Sequence, residues 1–383
     1  VRALAVLLAA AALPAAAQSD VEPPGVDPEY VRPLVPIARG RNDSNPVWSP
    51  AGDMIAFERS RGDDREIVVV RANGEPLQTI HHKNAAAAKQ PQFFFPGVVE
   101  SASYNSGISW SPDGKRFVFM SNGGEGNYDL YLRGADLRVT RITTHREKDG
   151  HAHWSPVGER IAFVSGRTGS GDVYLLDLAT NSTARLTLGE SGYLYPQWSP
   201  DGRRLAVIHG SNENHDVYLL EPGPSSGAGG TAARPPVPPK ALSTWRYDDL
   251  RPVWSPDGKR IAFYTNYNPG GDPRTWAIAV VAADGSDPTE GEGLAARVVA
   301  TDVVPDVERG PAWMPDSRRI AYVRDDKDAF YPIYIADTER RTSTLVRTGT
   351  RMNHDLAASP SGEIAFRAQV DEWDQLYVAK LRN

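Results

Sequence analysis

Cysteine is absent from the 383 residues. That excludes disulfides, thiolate metal sites, a cysteine nucleophile and a lipid-modified N-terminal cysteine. Basic blocks are also missing. Lys and Arg total 42 against 48 Asp and Glu, a formal charge of −6, so the chain lacks the electrostatic footprint of a nucleic-acid binder. Its longest apolar run, Ala3 to Leu13, falls short of the roughly 20 residues a membrane span needs. No Walker-type phosphate loop, dinucleotide fingerprint, zinc-protease helix or EF-hand loop occurs in it. What it has in quantity is turn formers, 34 Gly and 31 Pro, on a background that is 40% hydrophobic and 23% charged. That balance excludes a disordered chain.

Residues 1–17 (VRALAVLLAAAALPAAA) place Arg2 before the apolar run, Pro14 at its end and three alanines at a cleavage-like site. They read as a signal peptide, with the mature chain starting near Gln18 and working in a bacterial periplasm or outside the cell. Residues 18–29 read as a flexible lead-in.

One phrase then recurs seven times. Its copies are NPVWSPAGDMIAF from Asn45, GISWSPDGKRFVF from Gly107, HAHWSPVGERIAF from His151 and YPQWSPDGRRLAV from Tyr195. RPVWSPDGKRIAF from Arg251, GPAWMPDSRRIAY from Gly310 and a worn DLAASPSGEIAF from Asp355 follow. The markers Trp48, Trp110, Trp154, Trp198, Trp254, Trp313 and Ala358 stand 62, 44, 44, 56, 59 and 45 residues apart. Blades of four strands take about 40–45 residues, and longer ones carry loop insertions. Within each copy a strand ends in Trp, and Ser-Pro-Asp-Gly turns the chain. Pro presets φ at the second turn position and Gly takes φ > 0 at the fourth. A second strand follows, rich in β-branched and aromatic residues. A third strand is marked by Asp129-Leu130-Tyr131, Asp172-Val173-Tyr174 or Asp216-Val217-Tyr218. Such sheets are apolar on both faces and need neighbours to bury them. The expectation is an all-β, seven-bladed β-propeller over residues 30–383. The last copy lacks a fourth strand, so Tyr30–Ile37 is expected to complete it against residues 375–381 and close the ring.

These copies resemble the TolB-like propeller repeat, a relative of WD repeats, across roughly residues 30–383. TolB carries an α/β domain and a six-bladed propeller, whereas this chain has seven copies and no room for that domain. The resemblance therefore does not carry TolB's envelope role across. Propellers of prolyl-oligopeptidase-type peptidases also use such repeats, but no spare sequence is left here for a hydrolase domain.

Two insertions lengthen the spacing. Residues 82–104 hold Phe93-Phe94-Phe95-Pro96, and residues 222–239 are rich in Gly, Pro and Ser; both read as loops. All eight histidines map to the face opposite the Ser-Pro-Asp-Gly turns. His151 and His153, two apart in a strand, are expected to share a face. With His354 from another blade they form a candidate site for a divalent metal. Asp149, Tyr193, Tyr195, Asp249, Arg251, Glu308, Arg309 and Asp355 join these three histidines as candidate binding residues at the channel mouth. The first functional expectation is a monomeric exported binding module, taking a protein or carbohydrate ligand there. The alternative is a polysaccharide or oligosaccharide lyase. It rests on a resemblance to oligogalacturonate lyases, seven-bladed propellers with a His-bearing metal site. His151, His153, Tyr195 and Arg251 would then be the candidate catalytic residues. A third expectation is a propeller that partners a separate peptidase chain.

Overall fold

The computed structural model describes residues 25–62, 64–82, 105–123, 127–188, 192–211, 214–222, 238–287, 297–327 and 330–382. The expected signal peptide, the phenylalanine run at 93–95 and most of both insertions lie outside the described residues. Within them the chain forms 28 strands and no helix. Accordingly, among the described residues no helix is long and apolar enough to cross a membrane.

The strands make seven antiparallel blades around one channel. Each begins with an inner strand: β2 (Asn42–Trp48), β6 (Asn105–Trp110), β10 (Asp149–Trp154), β14 (Tyr193–Trp198), β18 (Asp249–Trp254), β22 (Ala312–Trp313) and β26 (His354–Ala358). Blades five and six are also hydrogen-bonded to each other, through β21 (Val298–Val304) and β23 (Arg319–Arg324). The repeated turns form as their chemistry dictates. In the second copy Ser111 Oγ donates to Asp113, and Gly114 N–H bonds back to Ser111 O at 2.9 Å with φ of 66°. That φ belongs to the left-handed region, which Gly enters without a Cβ clash.

The ring closes with strand β1 (Pro28–Pro33), which pairs antiparallel with β28 (Trp373–Leu381) through Val31↔Ala379 and Pro33↔Tyr377. The strand starts two residues before Tyr30. Residues of the expected lead-in also take part: Val26 pairs in parallel with Val346 of β25 (Thr342–Val346), the outer strand of blade six.

Between blades the core is a run of local clusters. All six marker tryptophans are buried, at 2–7% exposure. The indole N–H of Trp48, Trp110, Trp198, Trp254 and Trp313 donates to an inner-strand carbonyl of the preceding blade, at 3.0–3.3 Å. The arginine six residues after one blade's Trp lies over the next blade's indole. Arg116 covers Trp154, Arg160 covers Trp198, Arg204 covers Trp254 and Arg260 covers Trp313, at 4.9–5.5 Å. One motif thus supplies both halves of every such joint.

Candidate functional site at the channel

The inner strands do not alternate regularly. Six of them carry a register shift just before the tryptophan position, for example between Gly150 and His153 and between Leu194 and Gln197. Three residues before each Trp marker, φ is positive: Asn45 51°, Gly107 68°, His151 49°, Tyr195 54°, Arg251 53°, Gly310 87° and Asp355 54°. This bulge, repeated around the ring, re-aims one residue per blade. Five of the seven are not glycine, although left-handed backbone costs such residues about 1–3 kcal/mol.

In the third blade the bulge falls between Gly150 and His153; His151 and His153 both line the channel cavity, and Asp149, two residues before His151, does not. A cavity of about 550 Å³ is lined by His151, His153, Tyr195, Arg251, Glu58, Glu308 and Arg309. The tryptophans and prolines of the repeated turns of blades one to four complete its wall. His151 meets Tyr195 edge-on with ring centroids 4.5 Å apart. The Arg251 guanidinium lies 3.4 Å from the Tyr195 ring centroid and 3.6 Å from a Glu308 carboxylate oxygen. Arg309 donates to the carbonyl of Asn45 at 2.8 Å. Asn45 Nδ2 donates to Glu58 Oε2 at 3.1 Å, and Arg65 pairs with the same oxygen at 2.9 Å.

Burial sets the protonation states. It pushes the Glu58 carboxyl up to about 7, against the pull of Arg65. His151 is held well below its ordinary value by burial and by the Arg251 charge, and burial takes His153 down to about 4. Tyr195 is raised, again by burial. At neutral pH the site therefore offers two neutral imidazoles, a neutral phenol, a Glu58 carboxyl raised toward neutrality and two guanidinium groups.

A second cavity, of about 280 Å³, shares Glu308 with the first; Asn45, Arg65, Tyr264, Asp306, His354, Asp355 and Arg367 also line it. Asp306 is pushed up to about 7 by burial and by the nearby Asp355, while Asp355 pairs with Arg367 at 2.9 Å.

The structure separates several of the expected site residues. His151 and His153 line the first cavity and His354 the second. Among the described residues, no three His, Cys, Asp or Glu side chains come together to hold an ion. His153 instead joins two blades. Its Nδ1 accepts the backbone N–H of Trp198 at 3.2 Å, which ties blade three to blade four. His354 faces the second cavity and meets Tyr331 edge-on at 5.3 Å. Asp149, Tyr193 and Asp249 are buried and line neither cavity. Asp149 holds Arg167 at 3.2 Å, Tyr193 stacks on His209 at 4.1 Å, and Asp249 accepts the Trp245 indole N–H at 2.8 Å. Nor do the other histidines converge. His81 pairs with Glu66, His82 with Ser121 and His215 with Asp248.

Glu58, Arg65, Asp306 and Arg367 were not among the expected site residues. A signal for two of them exists. In the second strands, the residue after the central aromatic or valine is Met120, Val164, Ile208, Tyr264 or Val323 in five copies, but Glu58 and Arg367 in the first and last. A charge at a position otherwise apolar marks a polar patch where those copies meet.

Comparison with known proteins supports the fold. A family model for the TolB beta propeller domain matches residues 96–226. TolB from Acinetobacter baumannii is 18% identical with a TM-score of 0.50, over 79% of this chain and 62% of that one. The chain thus spans less than two thirds of that protein's length. Oligogalacturonate lyase from Vibrio parahaemolyticus is 11% identical with a TM-score of 0.62, over 92% of this chain and 94% of that one. A puromycin-hydrolyzing peptidase from Mycobacterium tuberculosis is 14% identical with a TM-score of 0.61, over 90% of this chain and 52% of that one. At such identities each likeness is one of fold. Among curated proteins, none matches the chain.

Proposed function

We propose that this TolB-like β-propeller is an exported binding module that takes a polar ligand, free or presented by a partner, into its channel. One observation carries the reading. His151, Tyr195 and Arg251 from three successive blades share a single cavity with Glu58, Glu308 and Arg309, and left-handed backbone holds the first three there. Convergent polar groups in a preformed, partly aromatic cavity are the usual makings of a ligand site. Export rests on the character of residues 1–17.

The test is a thermal-shift screen of short acidic and neutral oligosaccharides and peptides against the wild type and Tyr195→Ala. A ligand that raises the melting temperature of the wild type and leaves the variant unmoved supports the reading. Ligands that stabilise both equally would place binding elsewhere.

A second reading, a uronate lyase, is supported by the contact of His151 with Tyr195 and of Tyr195 with Arg251. A neutral imidazole could take the proton α to a carboxylate while the guanidinium offsets the charge that develops. Ultraviolet absorbance of an unsaturated product from oligogalacturonate, lost in His151→Ala, would favour it over simple binding.

A further inference from the structure

The Arg251 guanidinium is buried, at 6% exposure, on a cavity wall. Among the described residues its Nε has no hydrogen-bond partner. Its carboxylate neighbour Glu308 stands at 3.6 Å, beyond ordinary hydrogen-bond range. Arg309 likewise keeps a buried Nε without a partner. A buried cation with an unsatisfied donor is costly unless something completes it. The complement that fits a guanidinium edge is a planar carboxylate.

Charge around the cavity favours an anion. Arg251 and Arg309 face Glu308 and Glu58. With Arg65 also beside Glu58, guanidinium groups outnumber carboxyl groups around this part of the channel, which favours an anionic ligand. We propose, building on the binding reading above, that the channel takes a monocarboxylate against the Arg251 guanidinium, and that Glu58 takes up a proton as the anion enters.

The proton linkage follows from what surrounds Glu58. Its strand neighbours are Asn45 of β2 and Arg65 of β4 (Asp64–Arg71). Gly107 N–H of β6 approaches it at 3.3 Å. Glu308 and Arg309, ahead of β22, act on it through their charges. Fully buried, the carboxyl already sits near 7, and an incoming negative charge raises it further. His151 and His153, both neutral at pH 7, gain protons only in acid and do not offset this uptake. The affinity is therefore greatest below pH 7 and falls as pH rises through it.

The test is calorimetry with two monocarboxylate probes that present the same group on different bodies, galacturonate and N-acetyl-alanyl-alanine. The methyl ester and the C-terminal amide serve as their uncharged counterparts. At least one acid should bind the wild type with its counterpart at least roughly tenfold weaker. The affinity for the acid should fall about tenfold from pH 6 to pH 8. Which acid binds tells a sugar ligand from a peptide one. Arg251→Gln should lose about tenfold or more. Glu58→Gln should still bind, with the pH dependence and the proton uptake gone. The idea is overturned if both acids fail to bind wild type at about 10 mM, or if acid and counterpart bind alike. It is also overturned if Glu58→Gln keeps the wild-type pH profile. Equal binding of acid and counterpart would leave the binding-module reading standing and remove only the carboxylate.

Discussion

Glu58 and His153 share a cavity wall and titrate in opposite senses. The Glu58 carboxyl is raised in the folded protein, to about 7. The native state therefore holds a proton that the unfolded chain releases between about 4.5 and 7, and stability falls as pH rises across that window. Glu58→Gln should flatten the decline, and melting curves at pH 5, 6.5 and 8 would show a smaller spread than in the wild type. His153 is lowered to about 4, so its contribution is full above about 6.5 and is lost as pH falls toward 4. Its Nδ1 accepts a backbone N–H of the next blade. His153→Ala should then cost roughly 1–3 kcal/mol in urea unfolding at pH 7, with no change in bound metal. An unchanged midpoint would mean that this link is not made in solution. Residue roles of this kind were poorly legible in the sequence. Residue type and local spacing made His151 and His153 look alike, but whether an imidazole receives a ligand or a backbone N–H depends on the neighbouring blade.

At the level of the element, the repeated strand-turn-strand was legible because its chemistry is local. Pro and Gly fix the turn, and Trp and the second-strand aromatics fix what must be buried. Less visible was the bulge, since the positions with positive φ read Asn, Gly, His, Tyr, Arg, Gly and Asp, and three of these, His, Tyr and Arg, give little sign of left-handed backbone. The rule of alternation therefore misjudged which residues face the channel. The joint between Trp and the preceding blade's arginine is an element-level device with a measurable share. Trp198→Ala should cost roughly 3–5 kcal/mol. Arg160→Ala, which strips the cation from the same indole, should cost about 0.5–2 kcal/mol. If the two losses simply add in a double-mutant cycle, the contact between Arg160 and Trp198 carries no energy of its own.

Across the whole molecule, the seam between blades six and seven is the exception. Ala358 stands where the other copies have Trp, and the preceding copy has Met314 where the others have Ser. Both lie in one apolar cluster, with Met314 at 1% exposure. A flexible thioether thus occupies the seam that lacks an indole. The same seam is crossed by the N-terminal segment, which pairs with blade six at Val26 and with blade seven along β1. Met314→Ser should destabilise the ring by roughly 2–4 kcal/mol, read as a lower urea midpoint; no shift would show that the seam is held by the strand pairing alone. Closure by the first strand was legible from the missing fourth strand of the last copy. The second tie, from Val26 to blade six, was not, because nothing in residues 18–29 repeats.

The central claim is that the channel beside Arg251 is where a ligand sits. A crystal structure grown with galacturonate or N-acetyl-alanyl-alanine tests it most directly. The account predicts a carboxylate with its oxygens about 2.7–2.9 Å from Arg251 nitrogens, inside the cavity walled by Tyr195 and Glu58. A probe bound elsewhere on the propeller, with that cavity unchanged, would contradict it.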